Sequence, residues 1–144
     1  MAQQDWLKAT IIVACLTFAP NADAHGAFAI GGSTADTDHG FAAGYAWDQP
    51  TAQQAEAKAI AQCKAYPSEA PEHTNAKCAV VQSFSHAWLV IAMDPDRGQT
   101  GFGFSVNADK ETAERNAMAL CKSSSPDPRK SFCSIAASRH DQKP

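Results

Sequence analysis

Ala55-Glu56-Ala57-Lys58-Ala59-Ile60-Ala61-Gln62-Cys63 lies over Ala113-Glu114-Arg115-Asn116-Ala117-Met118-Ala119-Leu120-Cys121 at an offset of 58 residues. Ala, Glu, Ala, Ala and Cys match in place, and Ile60 pairs with Met118. The match extends in both directions. Ala29-Ile30 parallels Val90-Ile91, and Gly44-Tyr45-Ala46-Trp47 parallels Gly103-Phe104-Ser105-Val106. Each copy carries an Asp-x-Asp-x-Gly segment, residues 36–40 and 94–98, and Cys78-Ala79-Val80-Val81 parallels Cys133-Ser134-Ile135-Ala136. Self-similarity at one long spacing marks a duplicated unit.

Each copy reads as strand–strand–helix–strand. Residues 27–30 and 88–92 are short apolar runs suited to strands. In residues 41–47, Phe41, Ala43, Tyr45 and Trp47 fall on one face, the period of a strand; Phe102, Phe104 and Val106 repeat this. Ala55, Ala59, Ile60 and Cys63 recur at helical spacing, as do Ala113, Ala117, Met118 and Cys121. Thr51 with Gln54 resembles a capping box, and Asp109 or Asn107 suits the start of the second helix. The last strands are expected at residues 78–84 and 132–138. The fold class is α+β: a largely antiparallel sheet with two helices packed on one face.

The 144 residues allow one domain. Residues 1–24 have the form of a signal peptide. Lys8 leads, an apolar run spans 9–19, and Ala22-Asp23-Ala24 supplies the small-x-small site. Cleavage after Ala24 makes His25 the first residue of the mature chain. The run is too short for a membrane span. An alternative is lipid attachment at Cys15 after Ile12-Val13-Ala14. The single domain is then residues 25–140, with copy one about 26–84, copy two about 88–138, and a tail at 141–144. The expected location is the periplasm or outside the cell.

Of five cysteines, Cys15 falls in the leader. Cys63, Cys78, Cys121 and Cys133 remain, an even set in an exported small domain. Four cysteines permit three connectivities. One pair per repeat favours Cys63–Cys78 and Cys121–Cys133, each stabilising by roughly 3 kcal/mol. Twelve Lys and Arg against 15 Asp and Glu give a net charge of −3. That balance argues against nucleic acid and anionic lipid as partners.

The aromatic hairpin, the Ala-Glu-Ala helix ending in Cys, and the Cys-x-Val-Val strand, used twice, resemble the bacterial exported family called domain of unknown function 4189. The resemblance covers about residues 26–137. Many family members carry a further Cys just after the first Cys-strand, where this chain has Ser85-His86-Ala87-Trp88. That departure leaves a two-bond framework. The resemblance implies an exported domain with no established catalytic residues. Some members look like periplasmic immunity proteins, which implies a protein partner.

No catalytic motif stands out. Gly31-Gly32-Ser33 is a turn and not a nucleophile elbow. The Asp-x-Asp-x-Gly segments could open calcium loops but lack the later Glu, so they read as turns. The histidines are His25, His39, His73, His86 and His140, none at the spacing of a helical zinc pair. His39 and His140 are expected in solvent. Neither a metal nor a cofactor is expected. A hydrolase would need His86 with Glu56 or Glu114 as acid and base. Duplication alone explains why those two glutamates match. The favoured expectation is a non-enzymatic inhibitor or immunity protein that neutralises a toxin enzyme, with a structural envelope module as the other option. Its contact surface is expected in the stapled loop, at Tyr66, Glu69, Glu72 and His73, and in the second turn, at Asp94, Asp96 and Arg97. The domain is expected as monomer or dimer.

Overall fold

The computed structural model describes residues 24–32, 40–96 and 101–141. Residues 1–23 with Cys15, where a signal peptide is expected, most of the first Asp-rich turn with Ser33 and His39, Arg97 of the second turn, and the final three residues lie outside the described residues.

Copy one contributes β1 (His25–Gly31), β2 (Ala42–Gln49), α1 (Ala52–Lys64) and β3 (Ala79–Phe84). Copy two contributes β4 (Trp88–Met93), β5 (Phe102–Asn107), α2 (Lys110–Ser124) and β6 (Ser134–His140). The last strand of each copy begins after its Cys, because single 3-10 turns (Asn75–Lys77, Arg129–Phe132) precede the cysteines. Both helix starts are capped. Thr51 Oγ1 accepts from Gln54 N at 3.2 Å, and Asp109 Oδ2 accepts from Thr112 N at 2.8 Å. The Thr112 hydroxyl, together with that backbone bond, holds the Asp109 carboxyl below its ordinary range.

The strands form two antiparallel sheets in the orders β2-β1-β3 and β5-β4-β6. The α+β class, the antiparallel pairing and the strand–strand–helix–strand order used twice are as expected, with the strands divided into two sheets and one helix on the outer face of each. The reason is that both faces of each sheet are apolar. Ala27, Ala29, Ala42 and Ala46 pack under Ala55, Ala59 and Cys63 of α1. Val90 and Ala92 pack under Ala113, Ala117 and Cys121 of α2. The alternate residues (Phe28, Leu89, Ile91 and Phe102, with Tyr45 and Phe104) meet in a third core between the sheets. The layers therefore run helix, sheet, sheet, helix, with the large side chains at the centre.

Each helix sits unusually close to its sheet. A Cβ at Gly44 would stand 2.1 Å from Ala59 O and 2.3 Å from Cys63 N. At Gly103 it would stand 2.3 Å from Ala117 O and 2.5 Å from Cys121 N. The quoted repeat and the glycine of the hairpin are thus two halves of one contact. Disulfides Cys63–Cys78 and Cys121–Cys133 close each helix onto the strand that follows. The register also repeats. β3 slips between the partners of Phe28 and Ala29, leaving Val81 bulged, and β6 slips between those of Ile91 and Ala92, leaving Ala136 bulged. Each bulge falls three residues after its strand cysteine.

Candidate binding surface

The central core reaches the surface along a line of rings. Phe28 meets Phe104 with centroids 5.0 Å apart, Phe104 meets Phe102 at 6.4 Å, and Phe102 meets Phe41 at 4.9 Å. Tyr66 ends the line, stacked on Phe41 at 6.5 Å and 41% exposed. Beside the line lies a groove of about 520 Å³. Its lining comes from both copies: Ile30 and Val81 from copy one, Phe102, Phe104 and Leu120 from copy two. Val81 is 46% exposed and Leu120 50%. Large apolar side chains held half in water on a stapled frame mark a contact surface. The bulge puts Val81 there, and Leu120 stands in α2 one residue before the buried Cys121.

The expected contact residues divide. Tyr66, Glu69, Glu72 and His73 lie on the exposed loop between α1 and the first 3-10 turn. His73 Nε2 stands 3.7 Å from Glu72 Oε1. Asp94 does not belong with them. Its side chain is fully buried and takes two hydrogen bonds from Arg129, Nε at 2.6 Å and an Nη at 2.7 Å. The same guanidinium also binds Asp96 and lies 4.2 Å from the Phe132 ring. The Arg129 bonds hold the Asp94 carboxyl below its ordinary range, and Asp94 in return raises Arg129. Asp94 Oδ1 also accepts from Asp96 N at 3.1 Å, the local bond of a turn. A guanidinium therefore occupies the position that the calcium reading gives to a cation.

The acid–base groups of a hydrolase are dispersed. Glu56 on α1 accepts from Ser83 Oγ at 2.6 Å, and Glu114 on α2 pairs with Lys110 at 3.6 Å. Two sheets separate these helices, more than the spacing of a glycosidase carboxylate pair. His86 stands exposed in the β3–β4 connection with φ of 51°. His140, expected in a solvated tail, is instead the last residue of β6 and packs edge-on against Trp88 at 5.0 Å.

The residues that sequence reasoning missed are Asn75, Arg129 and Asp141. Asn75 Nδ2 donates to the carbonyls of Cys63, Lys64 and Tyr66, closing the end of α1. Asp141, assigned to the tail, is fully buried and joins the copies: its Oδ1 accepts from Asp48 N at 2.8 Å, and its N donates to Ala87 O at 3.0 Å. An Asn in a loop or an Arg ahead of a Cys carries no periodic signal. Only the proximity of a buried acid reveals what Arg129 does.

These features define a class: a duplicated α+β domain, stapled once per repeat, with its apolar groove at the junction of the copies. The chain belongs to the family described as domain of unknown function (DUF4189), whose model matches residues 25–139. No curated protein and no solved structure matches it. Among the described residues no helix is long and apolar enough to cross a membrane.

Proposed function

We propose that this protein is an exported, non-enzymatic inhibitor of the immunity-protein kind, which neutralises a toxin enzyme by protein–protein contact in the periplasm. The observation that carries the reading is the groove between the copies, where Val81 and Leu120 stand half exposed over a floor of Phe102 and Phe104. Export rests on the leader pattern that ends at Ala24, and two disulfides fit an oxidising compartment. Loops closed by disulfides lose less freedom on binding than open ones, which favours tight contact by a small domain. The partner presents an apolar segment to the groove, with the line of rings that ends at the exposed Tyr66 beside it.

The test uses the oxidised mature protein as bait against envelope and secreted fractions, with the catalytic activity of whatever is retained as the readout. The expected result is retention of one enzyme whose activity falls on addition of this protein. Leu120→Asp and Val81→Asp each weaken that inhibition by at least ~30-fold, the scale of a central contact residue. Unchanged inhibition by both folded variants removes the groove from the interface. Turnover of cell-wall or lipid substrates by the protein alone sinks the inhibitor reading.

A further inference from the structure

The junction of the copies holds a carboxylate that is only half satisfied. Asp141 is fully buried, and its Oδ1 takes the Asp48 N–H, but its Oδ2 has no hydrogen-bond partner. A buried carboxylate oxygen without a donor is costly, so a charged partner is the ordinary companion of such a group. The adjacent His140 likewise keeps a buried Nδ1 without a hydrogen-bond partner, and two cationic side chains of the junction are engaged with rings. Arg139 lies over the Trp47 ring at 5.9 Å, and Lys110 lies over Trp88 at 5.1 Å.

The backbone around Asp141 points to the missing donor. The residue it binds, Asp48, is the positive-φ residue in the irregularity where β2 meets the start of β1. Its neighbour Gln49 pairs with His25. Cα atoms of such partners stand roughly 5 Å apart. The backbone nitrogen of His25 therefore opens the strand paired with the residue next to Asp48, whose N–H Asp141 takes, and Ala24, on its other side, is fully buried. While Ala24 is attached, that nitrogen is a peptide amide with one proton and no charge.

We infer that Asp141 is the receptor for the α-ammonium group of His25, so that removal of the leader completes the junction between the two copies. The inference rests on the processing proposed above. Hydrolysis of the Ala24–His25 bond consumes one water. It leaves a carboxylate on Ala24 and an amine on His25, which takes up a proton at neutral pH. The resulting ammonium brings three donors and a positive charge to the strand start beside Asp141. Processing thereby becomes part of the fold: the mature chain holds an ion pair between its first residue and the residue that follows its last strand, which the unprocessed chain lacks.

The first measurement is the intact mass and N-terminal sequence of the exported protein, which should begin at His25. The second compares urea unfolding of four chains: the mature protein, Asp141→Asn, a chain retaining Ala24, and the last two changes combined. Each single change is expected to lower the folding constant about 100-fold, and the combination is expected to lower it hardly further. A different terminus overturns both the processing reading and this inference. A terminus at His25 with additive effects, or with no effect of retaining Ala24, overturns the inference and leaves the processing and inhibitor readings standing. If Asp141→Asn does not fold, the chain retaining Ala24 decides alone: equal stability to the mature protein refutes the pair.

Discussion

The two stapled loops have the same frame and different anchors. Both run from a buried helix cysteine, through a 3-10 turn, to a strand with a bulge at the same place. In copy one the loop is held by neutral hydrogen bonds. Asn75 gathers three carbonyls at the end of α1, and Thr74 Oγ1 donates to Ala70 O at 3.0 Å. In copy two the loop is held by charge, with Arg129 reaching back to Asp94 and Asp96 beside the hairpin. The difference separates two kinds of constraint. Where backbone meets backbone, only one residue type fits, and both copies keep it. Where a loop needs only to be pinned, an amide and an ion pair serve equally well.

The largest effect should come from the shared part. Gly44→Ala and Gly103→Ala each push a methyl group into the backbone of the covering helix. Since neither strand nor helix can yield alone, each is expected to cost about 3 kcal/mol in urea unfolding, with similar values for the two copies. A loss under about 1 kcal/mol in one copy alone would mean that its helix is less tightly seated than its twin.

The anchors come next, and they should respond differently to acid. Asn75→Ala leaves carbonyls at the end of α1 without their donor and is expected to cost about 2 kcal/mol, alike at neutral and acid pH. Arg129→Met leaves Asp94 buried without its cation and destabilises at neutral pH. Because Arg129 lowers the Asp94 pKa in the folded state, the stabilisation from this pair is fully present above the ordinary value of 3.8. It is lost as pH falls through the lowered folded value. The native protein should thus lose the contribution of copy two in strong acid, and Arg129→Met should flatten that part of the curve. Urea midpoints measured from about pH 7 down to about pH 2 make the comparison. An equal acid response in native protein and Arg129→Met would show that the ion pair does not hold the second loop.

The same distinction explains how much could be read in advance. The Ala stripes, the glycines at 44 and 103 and the cysteines at 63 and 121 are periodic or repeated, so the elements, their order and the disulfide pairing follow from them. The layering did not follow, because alternation along β1 and β4 places apolar residues on both faces and does not say which neighbour covers each. Asp94 looked like a surface turn residue because its partner, Arg129, lies 35 positions away. Val81 and Leu120 carry no mark in the sequence of the surface they form. Their exposure depends on a bulge and on how the two sheets meet, neither of which leaves a local signal.

The smallest expected effect concerns how the outer hairpin strands are finished. β2 and β5 each form one edge of a sheet, with β3 and β6 at the other, and a side chain from the covering helix closes β2 and β5 at one point. In copy one Gln62 Oε1 accepts from Tyr45 N at 3.2 Å, in an exposed position. In copy two Ser124 Oγ accepts from Phe102 N and donates to Phe102 O, both at 2.9 Å, so a single hydroxyl stands in for a neighbouring strand. Such substitutes blunt an edge that would otherwise recruit another chain. Ser124→Ala should therefore cost about 1 kcal/mol, and Gln62→Ala about half of that because water can replace the exposed amide. Amide hydrogen exchange resolves the two: faster exchange at Phe102 in the first variant and at Tyr45 in the second, with the other copy unchanged. Since Phe102 also floors the groove, the serine variant should self-associate more readily than the glutamine variant. Equal association by both would mean that the edge of β5 is covered by something other than Ser124.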